Sequence, residues 1–195
     1  MSHKLSIVQI PAKILRQKTE EISIADIKTS KIQSIIHDMK ETLAATSDGV
    51  GLAAPQVGKP LRLCIVSEEA LEIDRIEEKQ RKHLREELGK EEKKSKEEKK
   101  KWNYYVFINP VIKNTSRKKL NGSEGCLSVR GTYGALKRHE KITVEAYDEH
   151  GKKFTRGAAR FFARVIQHEL DHLDGKLFID RADEIFHAAD RKKEP

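Results

Sequence analysis

Cysteine is nearly missing from this chain of 195 residues: only Cys64 and Cys126 occur. That excludes a disulfide-stapled secreted module. Free thiols in a reducing compartment are expected. Long apolar runs are missing too. None approaches the roughly 20 residues that a bilayer-spanning helix requires, so no membrane partner is expected. Met1–Lys18 has no apolar block followed by a small-residue cleavage site, and no Arg-rich amphipathic pattern. Neither a secretory leader nor a transit segment is therefore expected. No motif interleaves arginines with aromatics, which argues against sequence-specific nucleic-acid recognition.

Charge, by contrast, is abundant: 36% of residues are charged and 37% apolar. The length supports one well-buried core, so residues 1–195 read as a single domain, expected to be a monomer. The net charge is +8, yet residues 72–101 hold only +2 of it, from 12 Lys or Arg against 10 Asp or Glu. The remainder is spread over Lys113–Lys119, Arg156–Arg164 and Arg191–Lys193. A solvated basic surface is the plain reading, and docking on an RNA-rich machine the sharper one.

Ile32, Ile35, Ile36, Met39 and Leu43 recur at helical spacing and predict a helix over 29–46, stopped at Ser47-Asp48-Gly49. Gly49–Gly58 reads as a loop. Leu61–Val66 reads as a strand in which Cys64 is inert and buried. Tyr104–Ile108 and Val111–Asn114 read as strands broken at Asn109-Pro110. Lys141–Tyr147 alternates apolar with polar, turns at Asp148–Gly151 and returns over Lys152–Arg156. A major helix is predicted over Ala158–Leu173 and a short one over Asp183–Ala189. Between residues 68 and 101 charge dominates. Pairs such as Glu77/Arg81, Glu86/Lys90 and Glu97/Lys101 at i, i+4 predict a helical but weakly packed insertion. The mixture of strands and helices is that of an α+β protein.

The chemistry concentrates in His168-Glu-Leu-Asp-His172 within the last major helix. Residues four apart share a helix face, so both imidazoles can reach one cation. The Glu169 between them can stand beside a bound water and move its proton. Phe161, Val165, His168 and His172 form one stripe, which continues the apolar face into the ligands. A protease extension of this motif would need a histidine at position 178, where this chain has Phe. Downstream acids and His187 lie close to the end of the chain. Cys126, in Glu124-Gly-Cys-Leu-Ser128, is the better third ligand. Three protein ligands and an open position mark a catalytic metal, and hydrolysis follows. A zinc-type metallopeptidase and a metal-stabilised binding module are the competing readings.

Three segments together carry a resemblance: Gly49-Val-Gly-Leu-Ala-Ala-Pro-Gln56, Glu124-Gly-Cys-Leu-Ser128 and His168-Glu-Leu-Asp-His-Leu-Asp-Gly175. In this order they resemble the signature motifs of peptide deformylase, and the resemblance covers nearly everything except the charged insertion. It implies small antiparallel or mixed sheets packed around a central C-terminal metal-binding helix. The implied activity is removal of the formyl group from formyl-methionine on nascent polypeptides, cytoplasmic and co-translational, with the ribosome surface as a possible neighbour. The implied cofactor is one divalent ion, Fe2+ natively with Zn2+ or Ni2+ as substitutes, held by Cys126, His168 and His172. Glu169 takes the role of proton carrier. The Gln56 amide and the Leu127 backbone N–H become the oxyanion donors. Backbone near Gly51 and Gly125 would bind the peptide as an added strand, and Val50, Phe161 and Val165, with His168 at the base, would form the methionine slot. Glu124 and Arg138 match a pair that holds the cysteine loop. Tyr133 departs from the pattern, since some members carry an arginine there that lines the substrate site; Arg130 is its nearby alternative.

Overall fold

The computed structural model describes residues 4–86 and 102–187. Among the described residues, two antiparallel sheets and three α-helices make up the fold, which is α+β. Helix α1 spans Ser30–Ala44, α2 Glu69–Glu86 and α3 Arg160–Leu173. Strands β1 (Gly51–Ala53), β2 (Leu63–Ser67), β3 (Tyr104–Thr115), β6 (Lys141–Tyr147) and β7 (Lys153–Ala159) form one sheet in the order β1-β2-β3-β6-β7. The second sheet has the order β4-β5-β8, with β4 at Lys119–Cys126, β5 at Val129–His139 and β8 at Glu184–His187.

The unbroken apolar run of β2 now has a physical cause. A strand covered on both faces needs apolar residues at every position. Leu63 and Ile65 face one core with Ile32, Ile36, Met39 and Leu43 of α1. Cys64 and Val66 face the other, with Phe162, Ala163, Ile166 and Leu170 of α3. Cys64 is buried in that second core, as a small hydrophobe would be. The larger sheet is therefore a layer between two helices, and α3 lies on its inner face. A third, smaller core of Val129, Leu136, Leu177 and Phe178 joins the second sheet to the end of the chain.

Several expectations are corrected. The break at Asn109-Pro110 does not end a strand. β3 continues through it with a register shift between Ile108 and Val111, and Asn109 takes a left-handed φ of 50°. A bulge absorbs the missing proline donor and keeps the strand in the sheet. The short helix expected over Asp183–Ala189 is instead β8, which pairs Thr132–Ala135 of β5 in antiparallel register. Four residues are too few to nucleate a helix unaided, whereas the edge of β5 offers ready hydrogen-bond partners. Residues 188 and 189 of that prediction lie outside the described residues. Gly51–Ala53, read as loop, is a short edge strand, followed by a tight 3-10 turn at Ala54–Val57. The hairpin β4–β5 has no counterpart in the predicted elements.

The charged segment also differs from expectation in its packing. Ala70 of α2 is fully buried and Leu71 packs on the α3 core. Residues 87–101 lie outside the described residues. No helix among the described residues is long and apolar enough to cross a membrane.

Helix α3 ends at Asp174 and is followed by Gly175 at φ +70°. A β-carbon there would stand 2.7 Å from the Arg16 backbone. Both the left-handed conformation and the close approach demand glycine. Gly175→Ala should therefore lower stability by about 2 kcal/mol or more, by the cost of left-handed backbone plus a backbone shift. Urea unfolding of the variant against the parent checks this; an unchanged midpoint would refute it.

Candidate metal centre and substrate cleft

Two of the three proposed ligands come from one face of α3, and the third from the tip of a hairpin. β4 and β5 are joined at Leu127-Ser128, with Cys126 opposite Val129. Between Gly125 and Cys126 the register shifts, because β5 carries extra residues through Gly131 at φ +70°. Such a bulge re-aims the neighbouring side chain. Here it accompanies the approach of the Cys126 sulfur to α3. Donor atoms of Cys126, His168 and His172 all lie within 4.8 Å of one another. The sulfur stands 3.1 Å from His172 Nε2.

A network of buried charge holds this cluster. Glu124 and Arg138 are 6% and 4% exposed. Arg138 donates to both Glu124 oxygens at 2.9 Å. Arg164 donates to Glu124 Oε1 at 2.9 Å, and His168 Nδ1 donates to Oε2 at 2.9 Å. Arg138 also pairs with Asp171, which accepts from Arg181 as well. Burial alone would raise the Glu124 pKa, but hydrogen bonds from Arg138 and His168 hold it well below the usual carboxylate range. Since Nδ1 of His168 is committed to Glu124, Nε2 is the nitrogen left for a ligand role.

Protonation of the cluster fits a cation site. Burial lowers the His172 pKa well below its usual value, and the charges of His168 and Arg138 add to that, so the ring is a neutral base. Burial would also lower His168, yet hydrogen bonds with Cys126 and Glu124 raise it well above normal. One sulfur and two imidazole nitrogens suit a borderline-soft divalent ion. Beside them Glu169 is 3% exposed, and its Oε2 has no partner. Burial pushes its carboxyl up to about 7. An orphaned carboxylate oxygen in the same cleft as Cys126 and His168 is a place for a proton-bearing ligand.

Gln56 is oriented by its own turn. It is 2% exposed, and its Oε1 accepts from the Ala53 N–H at 2.8 Å. The amide nitrogen must then face the cluster, donating to Ser128 Oγ at 3.3 Å and to Cys126 Sγ at 3.5 Å. The backbone N–H of Ser128 also points at the sulfur, at 3.4 Å.

These residues open on a cleft of about 680 Å³. Val50, Gly51 and Gln56 line one wall, Glu124–Leu127 and Tyr133 the opposite one, and Phe161, Val165, His168 and Glu169 the base. His172 and Arg138 lie behind it. A β-carbon on Gly51 would come within 2.3 Å of Glu169 Oε1, so glycine is what lets β1 run against the carboxylate. Tyr133 lies opposite Gly125 in the hairpin and stacks on Phe186 at 5.8 Å between ring centroids. Sequence reasoning missed Arg164, Ser128 and Phe178, whose ring stacks on His168 at 6.2 Å. Arg164 stands four residues before His168, so helical spacing could have flagged it. Ser128 and Phe178 left no comparable signal.

The carboxylate of Glu124 serves two buried guanidiniums and the His168 ring, so its removal leaves them under-compensated. Glu124→Gln should cost about 3–5 kcal/mol of stability, the range for a broken buried ion pair. Equilibrium urea unfolding reads this directly; a loss under about 1 kcal/mol, the scale of surface pairs, would show the network to be dispensable.

Known proteins are similar to this chain in sequence and fold. Residues 4–187 match the model of the family described as polypeptide deformylase. The chain is 38% identical over 168 residues to peptide deformylase 1A, chloroplastic/mitochondrial, of Arabidopsis thaliana, covering 86% of this chain and 57% of that protein. With the peptide deformylase of Borreliella burgdorferi it is 38% identical over 180 residues, covering 92% and 88% of the two chains. Among solved structures it is similar to a peptide deformylase from Legionella pneumophila, at a TM-score of 0.72 and 30% identity, covering 93% of this chain and 87% of that one. A class I type b peptide deformylase from Acinetobacter baumannii with Met-Ala-Ser bound matches at a TM-score of 0.73 and 27% identity, covering 93% and 99%. With the fold, the sulfur–imidazole cluster and these relatives in agreement, the chain belongs to the polypeptide deformylase family, hydrolases that remove the N-formyl group from nascent peptides.

Proposed function

We propose that Cys126, His168 and His172 hold one divalent cation, ferrous iron natively with zinc or nickel as substitutes, and that the chain deformylates N-formyl-methionyl peptides at this centre. The convergence of one sulfur and two imidazoles within 4.8 Å, beside a buried and unpartnered Glu169 oxygen, carries the reading. The bound cation supplies Lewis acidity, which makes water a nucleophile near neutral pH. Glu169 takes the proton from that water and returns it to the leaving amine. Negative charge that develops on the formyl oxygen is met by the Gln56 amide, held in orientation through Ala53, and by the Leu127 backbone N–H. Each such donor contributes about 2.7–4 kcal/mol to lowering a barrier of this type.

Val50, Phe161 and Val165, with His168 at the base, offer the apolar slot for methionine. Gly51 is on β1 and Gly125 on β4, and both are edge strands of their sheets. A peptide laid between them can hydrogen-bond to backbone as an added strand. The Met-Ala-Ser held by the Acinetobacter relative supports a peptide of that kind. Tyr133, braced by Phe186, forms the wall next to the downstream residues. Net charge of +8 supports work close to the ribosome surface, where the nascent substrate emerges, and the enzyme acts as a monomer.

Protein prepared without air and loaded with iron should release formate from formyl-Met-Ala-Ser. No release above the uncatalysed rate would sink the proposal. Glu169→Gln should lose at least about a hundredfold in kcat, in the range for a general base, while metal content stays near one ion per chain. A variant that lost its metal along with its activity would point to a structural role for Glu169. Chelation should abolish turnover, and re-addition of iron, nickel or zinc should restore it; activity that survives complete chelation would exclude the assigned centre.

A further inference from the structure

We infer that Asp74 of α2 is a positioning residue for the metal helix and its substrate pocket. This deepens the deformylase reading and rests on it. Helix α3 starts without a cap of its own. Its N-cap is Ala159, the last residue of β7, with no side-chain hydrogen bond, and its first turn holds no acidic residue. The chain passes from strand to helix in one step, at Arg160 with φ +52°. A left-handed conformation in a non-glycine residue persists only where the surroundings enforce it.

The missing cap comes from elsewhere. Asp74 Oδ1 accepts from the Phe161 N–H at 3.0 Å, and Oδ2 accepts from the Phe162 N–H at 3.0 Å. One carboxylate thus satisfies two consecutive orphan donors and also places its charge at the positive end of the helix dipole. Those two residues point in different directions. Phe161 lines the cleft, while Phe162 is 1% exposed and lies in the core. Holding both N–H groups fixes the roll of α3 about its axis and its position along it. Val165, His168, Glu169 and His172 then follow on the same rigid element. A neighbouring contact is of another kind. Arg160 pairs with Glu78 at 3.0 Å, but the two side chains are 39% and 67% exposed, so the pair contributes little.

α2 is held in turn by its own start. Ala70 is fully buried, and Leu71 packs on the same core as Phe162. The beginning of the charged segment, which the three motifs do not include, is therefore built into the wall that grips the substrate's first side chain.

The test compares metal-loaded Asp74→Asn, Asp74→Ala and Glu78→Gln with the parent on formyl-Met-Ala-Ser. Both Asp74 variants should raise KM roughly threefold to tenfold, with kcat per bound metal changed less, because the methionine pocket moves more than the ligands. Asn keeps one acceptor and should fall between Ala and the parent. Glu78→Gln should stay within about twofold of the parent, as an exposed pair predicts. Amide exchange should accelerate at Phe161 and Phe162 in the Asp74 variants. If Ala at this position prevents folding, the Asn variant carries the comparison. A lowered Tm with KM and kcat per metal both unchanged would overturn the inference and leave Asp74 a stability contact only. Unchanged exchange at Phe161 and Phe162 would overturn the cap itself. A parent that releases no formate would sink the activity instead, while exchange still decides the cap.

Discussion

One carboxylate, Glu124, ties the functional half of this molecule together. It sits on β4 and receives Arg138 from β5 and Arg164 and His168 from α3. It joins the hairpin that presents Cys126 to the helix that presents the histidines, beside further ties from Arg138 to Asp171 and from Gln167 to the His139 backbone. The third apolar core, of Val129, Leu136, Leu177 and Phe178, joins the second sheet to the end of the chain, so charge carries much of the contact between that sheet and α3. A charge-assisted, bidentate contact constrains direction as well as distance. Apolar packing is tolerant of small shifts, and a metal centre is not.

That choice of glue explains what the sequence disclosed and what it hid. The ligand helix was legible because the stripe of Phe161, Val165, His168 and His172 repeats at helical spacing. β2 was legible because burial on both faces left it an unbroken apolar run. The hairpin β4–β5 was not. Its residues alternate in exposure, but the inward ones include Glu124, Gly134 and Arg138 in place of valines and isoleucines. A reading that looks for apolar periodicity passes over a strand whose buried positions are charged or glycine. β8 was misread for a related reason. Its four residues have no preference strong enough to decide, and the edge of β5 decides for them.

Of the proposed site, the three motifs picked out Cys126, His168, His172, Glu169 and Gln56, and the fold brings the donor atoms of the first three within 4.8 Å of one another. What they could not disclose is support that arrives through space. Ser128 contributes a hydroxyl to Gln56 and an N–H to the Cys126 sulfur, but a serine after Cys-Leu gives no sign of this. Asp171 is another such support: it is 8% exposed, and it holds the guanidinium of Arg138 from the side opposite Glu124.

β1 and β4, two of the four edge strands, border the cleft. An exposed sheet edge is a hazard, because its free N–H and C=O groups invite other chains. β1 is only three residues long and is buried throughout, so it offers little to a stray strand. β4 is longer, but its end near Gly125 lies within the cleft, beside the ring of Tyr133. The proposed substrate, a single extended peptide, would pair with these edges in the place where the fold already shields them from other chains.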